Sequence, residues 1–374
     1  MVPGNMNCYP GILALQQRVL TPYRAVFFDA LAAACDGGLS VFAGKPRPEE
    51  SIGTTTTLNT AQLTQARNLH FMRGPLYFCY QRGLPAWLAD CNPDALIVEA
   101  NPRYLSTPAA VRWMTQRGRP VIGWGLGAAP FTGPLSGLRK SRRASFVRQF
   151  EALITYSRRG ADEYTALGFP ADKIFVAPNA AAARPTSPLP QRPPIFEGKP
   201  SVLFVGRLQG RKRIDDLLRA CADLPENLQP HLVIVGDGPE RLSLESLAKT
   251  IYPSAEFPGA RHGAELTPYF SAADLFVLPG TGGLAVQEAM SHGLPVIMGQ
   301  GDGTNDDLVR PGNGWQLPGP EKLADTLREA LSNVSRLRAM GAESYRIVSE
   351  EINLERMVEV FKETLNRVKP RENR

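Results

Sequence analysis

One stretch limits the folds open to this chain more than any other. Leu275-Phe276-Val277-Leu278 is an apolar run of strand length, Pro279-Gly280-Thr281-Gly282-Gly283 is a glycine turn, Leu284 to Met290 has helical composition, and Pro295-Val296-Ile297 is a second apolar run. Runs without polar alternation fit strands buried on both faces of a parallel sheet. Three glycines within four residues let a ligand come closer to the backbone than any side chain would allow. The helix after them opens with unpaired N–H groups and the positive end of its dipole, which favour an anion. Glu288 falls about one and a half turns into that helix. The stretch therefore reads either as a cradle for phosphate and sugar at the carboxyl end of a strand or as a tight turn without a ligand.

The same alternation recurs along the chain. At 374 residues the length exceeds what one core usually covers, so two domains are expected. In the first, 1–183, strands are predicted at Ile12–Leu15, Leu39–Phe42, Ala95–Val98, Pro120–Trp124, Ala152–Thr155 and Lys173–Val176. Arg18 to Arg24 is predicted as a basic loop, with helices from Phe27 to Cys35, Pro108 to Arg117 and Arg158 to Leu167. Residues 184–198 hold Pro185, Pro188, Pro190, Pro193 and Pro194, which no sheet or helix accommodates, and form an extended linker with a cleft beside it. The second domain, 199–347, has strands at Ser201–Val205, Leu232–Val235, Ala255–Phe257, Leu275–Leu278 and Pro295–Met298. Its helices run from Ile214 to Leu224 and from Leu266 to Ala272. Strands alternating with helices give a doubly wound α/β sheet, whose ligands sit at the carboxyl ends of the strands. Arg207 and Lys212 lie on such a loop, where two cations neutralise a diphosphate or simply face water. Arg18, Tyr23, Arg24, Glu99, Asn101 and Trp124 are the corresponding candidates in the first domain. Asp302, Asp306 and Asp307 match no calcium-loop spacing and read as a solvated loop.

A net charge of +6 and a pI near 9.1 point to an anionic partner. The most basic segment, Leu138 to Phe150, carries Arg139, Lys140, Arg142 and Arg143, with Leu138, Phe146, Val147 and Phe150 set to face the domain. It is either a solvated helix face or a surface for anionic lipid. Its basic residues are not interleaved with stacking aromatics and no nucleic-acid motif is present, so nucleic acid is not an expected partner. The five cysteines are scattered without a CxxC, which favours a reducing compartment over disulfides or a zinc site. With neither a signal-peptide pattern at its start nor an apolar run of membrane-spanning length, the chain is expected to be cytoplasmic.

Several motifs in register carry a family resemblance. Phe204-Val205-Gly206-Arg207-Leu208 with Lys212, Val235-Gly236-Asp237-Gly238-Pro239 with Arg241, Phe257 with Gly259, Ala273 to Pro279, and Glu288-Ala289-Met290 with Gly293, Pro295 and Val296 stand in the order of retaining glycosyltransferase family 4. Asn313-Gly314 also fits, and Ser157, Gly168 and Pro178-Asn179 match the junction before the second domain. The similarity is dense from Thr155 to Trp315 and thin before it. It implies the glycosyltransferase B fold: two Rossmann-like domains facing each other across a cleft, with residues 348–374 returning as a helix to the first domain.

The resemblance implies roles. Arg207 and Lys212 grip the diphosphate of a nucleotide sugar, and Gly282, Gly283 and Leu284 offer backbone N–H groups to phosphate and sugar, with Gly280 and Thr281 on the same turn. Glu288 accepts from the ribose hydroxyls, while Gly206, Gly236, Gly238 and Arg261 frame the nucleotide. No bound metal or other cofactor is implied, because fixed cations and a helix terminus stabilise the leaving group. The implied activity is transfer of a hexose, with retention, to a glycan or lipid-linked acceptor of the cell envelope by an enzyme peripheral to the inner face of the cytoplasmic membrane. Three departures bear on the donor sugar more than on the nucleotide. Gly280 stands where the family has the first of two glutamates, Leu126 stands where its first domain has a histidine, and Ala180-Ala181-Ala182 follow Asn179. His70, the sole histidine of the first domain, reads as incidental. These departures keep a second reading open, a relative that binds a nucleotide sugar or a partner without transferring anything. A sugar-nucleotide epimerase shares the architecture but needs an acid–base set that the sequence does not present.

Overall fold

The computed structural model describes residues 8–50, 52–299, 301 and 307–368. They divide into two compact units, with boundaries at Ala181/Ala182 and Asn353/Leu354, so that the last helix belongs with the first unit.

The first unit contains β1 (Leu13–Val19), α1 (Pro22–Ala33), β2 (Leu39–Gly44), β3 (Gln62–Gln65), β4 (Arg67–Phe71), β5 (Phe78–Arg82), α2 (Leu84–Cys91), β6 (Ala95–Glu99), α3 (Thr107–Thr115), β7 (Val121–Gly125), α4 (Ser136–Val147), β8 (Ala152–Thr155), α5 (Arg158–Ala166) and β9 (Ile174–Val176). Seven strands form one parallel sheet in the order β3-β2-β1-β6-β7-β8-β9, and β4 and β5 pair antiparallel outside it. The pleat sends Leu13, Leu15, Val41, Ile97, Ile122 and Ile154 to one face and Ala14, Phe42, Leu96, Val98, Val121 and Leu153 to the other, and both faces are buried. That double burial is why the strands read as uninterrupted apolar runs.

The second unit contains β10 (Ser201–Val205), α6 (Ile214–Ala222), β11 (His231–Val235), α7 (Arg241–Ile251), β12 (Glu256–Gly259), α8 (Thr267–Ala272), β13 (Leu275–Leu278), α9 (Ala285–Ser291), β14 (Val296–Met298), β15 (Gly314–Gln316), α10 (Leu323–Leu331) and α11 (Val334–Arg346). Its six strands are parallel in the order β12-β11-β10-β13-β14-β15. The proline-rich stretch carries no helix or strand and lies along this unit. Arg192 fastens it by donating to the carbonyls of Phe270, Ser271, Ala273 and His292. A single turn of π-helix, Ile347–Glu351, closes the unit.

The last helix, α12 (Leu354–Arg367), packs on the first unit's sheet, and Phe361 meets Phe27 and Trp124 edge-on at centroid distances of 4.9 and 5.0 Å.

Four differences from the sequence reading have physical causes. Tyr23 and Arg24 lie in the first turn of α1 rather than in a loop, because Pro22 opens the helix at a position where its missing N–H costs nothing. Val348 and Ile352, placed by the sequence reading in the returning segment, are buried in the second unit's core instead. Leu138, set to face the domain, is 50% exposed, whereas Phe146, Val147 and Phe150 do pack inward. Finally β3, β4, β5, α2 and β15 carry no expectation from sequence. The strands are short and, in β3 and β4, mostly polar, so no apolar run marks them, whereas α2 holds an apolar run, Leu84 to Ala89, too short to show a helical period.

Candidate active site

In the second unit the sheet order reverses between β10 and β13, where their carboxyl ends diverge. Ligands of open α/β sheets bind at such a switch point. The loop after β10 is zipped to the loop after β11 by Gly206 N donating to Val235 O at 3.0 Å, Leu208 N to Asp237 O at 2.9 Å and Glu240 N to Leu208 O at 3.2 Å. The approach is close enough to require glycine. A Cβ at Gly236 would stand 1.9 Å from Gly206 O, and one at Gly238 would stand 2.2 Å from Leu208 O. Leu208 is thereby buried as an anchor, and its neighbour Arg207 is left exposed on the loop.

The same β10–α6 loop is locked to the glycine turn. Thr281 N donates to Arg211 O at 3.0 Å, and the ammonium of Lys212, a residue only 5% exposed, donates to Thr281 O at 2.8 Å. A Cβ on Gly280 would lie 2.0 Å from Arg211 O and 2.6 Å from Lys212 Cα, so no side chain fits there without moving backbone. Gly282 has φ of +69°, a conformation that glycine adopts without strain. Leu284 is 37% exposed and precedes α9, whose fourth residue is Glu288. Glu288 therefore sits in the first turn of the helix, closer to its start than the sequence spacing suggests. Its carboxyl is partly buried, and burial raises its pKa.

A hollow of about 730 Å³ opens over these loops. Gly206, Arg207, Gly236, Gly238, Arg261 and Glu288 line it together, as does Ala285 at the start of α9. Lys212 and the turn from Gly280 to Leu284 stand beside this lining rather than in it. Arg261 is held by its own backbone neighbour, Nη1 donating to Ala260 O at 2.9 Å. Chemically the hollow offers two arginines, a carboxylate near the helix start and glycines whose backbone no side chain covers. That combination suits a phosphorylated, hydroxyl-rich ligand.

In the first unit the switch point falls between β1 and β6. Arg18 bridges the two strands: its N–H donates to a Glu99 carboxylate oxygen, and its guanidinium pairs with Glu50 at 2.8 Å. Burial pushes the Glu99 carboxyl up to about 7, against the pull of that N–H and of the Arg18 and Arg24 charges. Tyr77 approaches Arg18 at 3.5 Å and bonds His70 Nδ1 at 2.9 Å, so His70 belongs to this network and is not incidental. Two first-unit candidates are packing residues. Trp124 is 2% exposed, in the core against Phe27 and Phe361. Arg24 is 5% exposed, donating to the Tyr156 hydroxyl at 3.1 Å with its guanidinium 4.7 Å from the Trp124 ring. Tyr23 lies under the same guanidinium at 5.1 Å. Asn101 accepts from Arg103 N at 3.1 Å and so closes its own loop. Sequence reasoning missed Gln16 and Gln81, buried and bonded to each other, with Gln16 also accepting from Glu99 N. Two glutamines interrupting the apolar run of β1 were the available signal.

Of the basic segment, Arg139, Lys140 and Arg142 are exposed beside Leu135 and Leu138. Arg143 departs from the expectation. It turns inward to donate to Gly127 O at 3.1 Å, and burial lowers its pKa. Asp302 and Asp306 lie outside the described residues. Among the described residues no group of three His, Cys, Asp or Glu converges as for a metal, and no helix is long and apolar enough to cross a membrane.

Residues 187–347 match the family model described as Glycosyl transferases group 1. A GDP-mannose-dependent alpha-mannosyltransferase of Mycobacterium tuberculosis is 35% identical over 167 residues, which are 42% of this chain and 42% of that protein. An alpha-galactosylglucosyldiacylglycerol synthase of Streptococcus pneumoniae is 25% identical over 61% of this chain and 64% of its own length. The chain thus spans less than half of the mycobacterial relative and somewhat under two thirds of the streptococcal one. In fold, the Anabaena protein Alr3699/HepE in complex with UDP superimposes with a TM-score of 0.66 at 16% identity, over 95% of this chain and 99% of that one. Two parallel Rossmann-like sheets give this chain the glycosyltransferase B fold. Residues 187–347, somewhat under half of the chain, are similar to the group 1 glycosyltransferases.

Proposed function

We propose that the protein transfers a hexose from a nucleotide sugar, with retention of configuration, to a glycan or lipid-linked acceptor of the cell envelope. The observation that carries this reading is the hollow at the β10/β13 switch point, where Arg207, Arg261 and Glu288 meet and the Lys212 ammonium stands next to the glycine turn. Arg207 and Lys212 hold the diphosphate, the backbone from Gly282 to Leu284 faces phosphate and sugar, and Glu288 accepts from the ribose hydroxyls. The bond between the anomeric carbon and the diphosphate oxygen breaks as the acceptor oxygen adds from the same face. The acceptor's proton passes to the departing phosphate, whose charge the two fixed cations stabilise. On this reading no metal is required. The GDP-mannose named for the mycobacterial relative and the UDP bound by the Anabaena protein make guanine and uracil the first bases to test.

The acceptor binds the first unit near Arg18 and Glu99, at the β1/β6 switch point. Arg139, Lys140 and Arg142, with Leu135 and Leu138 exposed beside them, rest on anionic lipid at the inner face of the cytoplasmic membrane. The lipid product named for the streptococcal relative supports an envelope role. One observation favours a second reading, binding without transfer: the wall behind Gly280 leaves no room for a carboxylate on the turn.

A thermal-shift screen of UDP-, GDP-, dTDP- and ADP-sugars with and without EDTA tests the proposal. At a hundredfold excess over Kd, one nucleotide sugar stabilises the protein by about 2.7 kcal/mol, with or without EDTA. No stabilisation by any of them refutes the donor site, and stabilisation that EDTA abolishes refutes the metal-free mechanism.

A further inference from the structure

The two-stranded ribbon of β4 and β5 is amphipathic in the wrong sense for a structure surrounded by water. Its register sets Arg67 opposite Arg82, Leu69 opposite Tyr80 and Phe71 opposite Phe78. Between them, Asn68 stands opposite Gln81 and His70 opposite Cys79. Side chains alternate along a strand, so the former pairs share one face and the latter the other. The face with Asn68, His70 and Gln81 turns inward and is engaged in hydrogen bonds. Asn68 Nδ2 donates to Arg18 O at 2.8 Å and to Lys45 O at 2.9 Å, Gln81 Nε2 donates to Gln17 O at 2.9 Å, and His70 bonds the Tyr77 hydroxyl and the Lys45 carbonyl. The apolar face is left outward, with Phe71 47% and Tyr80 38% exposed and Leu69 and Phe78 half-buried. A ribbon with one face in water ordinarily shows the opposite pattern.

The connection between the strands continues this surface. Met72 and Leu76 are 66% and 64% exposed, and Met72 holds φ of +57°, a left-handed conformation strained for a residue with a side chain. Carbonyls of this tip are satisfied within the protein: Arg47 Nη1 donates to Met72 O at 3.3 Å and Tyr77 N to Gly74 O at 3.2 Å. At the other end of the ribbon Arg67 and Arg82 are exposed and directly opposed, and among the described residues neither pairs with a carboxylate. Like charges so placed repel, and an anion set between them turns that repulsion into attraction. From tip to base the surface therefore runs from Met72 and Leu76 through the two phenylalanines and Tyr80 to the arginine pair. Hydrocarbon, interface and anionic headgroup follow one another in a bilayer in the same order. Contact of this face with a second copy would set each arginine pair against another arginine pair or an apolar tip, because the face carries no acid.

We infer that the outward face and tip of the β4–β5 ribbon dock on a bilayer containing anionic phospholipid. The side chains of Met72, Leu76 and Phe71 enter the boundary of headgroups and acyl chains, and Arg67 and Arg82 meet the anionic headgroups. This surface is separate from the exposed face of α4, and its role depends neither on that contact nor on the donor site. Because the inward face of the same ribbon bonds the Arg18 carbonyl and Tyr77, docking holds the β1/β6 switch point at the membrane surface.

Vesicle flotation tests the assignment, with phosphatidylcholine alone and with a mixture containing roughly one third phosphatidylglycerol. The full chain is compared with Met72→Ser/Leu76→Ser, with Arg67→Gln/Arg82→Gln and with the joint alanine replacement of Arg139, Lys140 and Arg142. The expected result is that the wild type floats with the mixed vesicles and that Met72→Ser/Leu76→Ser partitions about tenfold less. Arg67→Gln/Arg82→Gln should lose roughly thirtyfold on the mixed vesicles and almost nothing on phosphatidylcholine. Melting checks that the variants are folded, and the arginine variant should melt no lower than wild type, since it removes a repulsion. If the wild type floats with neither vesicle, bilayer docking is overturned for the ribbon and for α4 alike. If it floats and only the α4 variant is weakened, the ribbon alone is overturned. If flotation is indifferent to both ribbon variants while the wild type sediments as a dimer and Met72→Ser/Leu76→Ser as a monomer, the face belongs to a second copy and the proposal falls.

Discussion

Replacing Gly280 by alanine tests how the candidate site is assembled. The added methyl would stand 2.0 Å from Arg211 O and 2.6 Å from Lys212 Cα, and both are backbone atoms of a loop already zipped to its neighbour. The loops must part, which endangers the Thr281 N to Arg211 O bond at 3.0 Å and the Lys212 ammonium bond to Thr281 O at 2.8 Å. Overpacking alone costs about 1–3 kcal/mol. A neutral hydrogen bond is worth about 1 kcal/mol and a charged one about 1.5–3, though partial relaxation keeps the sum below their total. Gly280→Ala should therefore destabilise the second unit by about 2–4 kcal/mol. A unit of this size then melts roughly 4–15 °C lower, by calorimetry of the unliganded protein. Gly282→Ala is the comparison. Its methyl meets only side-chain ends, Arg211 Nη1 at 3.2 Å and Lys212 Nζ at 3.8 Å, so the left-handed backbone at +69° supplies most of its cost, about 1 kcal/mol. Equal melting of Gly280→Ala and wild type would refute the contact. A loss no greater than that of Gly282→Ala would refute the claim that backbone crowding dominates.

Further outcomes follow from other parts of the molecule. Arg192→Ala frees the carbonyls of Phe270, Ser271, Ala273 and His292 and should cost about 2–4 kcal/mol, read as a lower urea midpoint. The Glu99 carboxyl titrates near 7 in the fold against an ordinary 4.5. The fold thus holds its proton more tightly, and the Glu99 contribution to stability is largest below about pH 4.5 and declines, by at most about 1.4 kcal/mol per pH unit, as pH rises to about 7. Urea midpoints of Glu99→Gln should lack that slope, and midpoints parallel to wild type across the window would contradict it. Joint replacement of Arg139, Lys140 and Arg142 by alanine should weaken binding to vesicles containing anionic lipid by about 1 kcal/mol per residue. Replacing inward-turned Arg143 should instead lower stability and leave vesicle binding almost unchanged.

How much of this was legible in the sequence depended on whether a local pattern carried the information. Ser201–Val205, Ala152–Thr155 and Leu275–Leu278 are strands with the bounds their apolar runs predict, because a strand buried on both faces needs no partner to announce itself. The glycines at 236 and 238 were legible only through the family resemblance, as a frame for the nucleotide, and what a side chain there would strike, the carbonyls of Gly206 and Leu208, belongs to another loop. Gly280 is the sharper case. The sequence shows a missing carboxylate, whereas the packing shows that the Arg211–Lys212 backbone fills the space. Trp124 and Arg24 were placed at an open strand end, yet α12, more than two hundred residues away in the chain, supplies Phe361 and Met357 that cover them. Arg143 was counted with its exposed neighbours because nothing local reveals that Gly127 O waits beneath it. The polar strands β3 and β4 lacked any apolar run and were invisible for that reason.

The central claim is sugar transfer from the hollow at the β10/β13 switch point, and the most direct measurement is release of nucleoside diphosphate from whichever nucleotide sugar stabilises the protein, the sugar passing to water where no other acceptor is supplied. Wild type and Arg207→Ala are compared, since Arg207 is exposed and its loss spares the core. The account predicts release by the wild type with EDTA present, and a rate roughly a hundredfold lower in Arg207→Ala, the scale of losing one fixed charge that stabilises the leaving group. Equal rates in the two proteins, or binding with no release by the wild type, would contradict it, and the second outcome would identify a binder that transfers nothing.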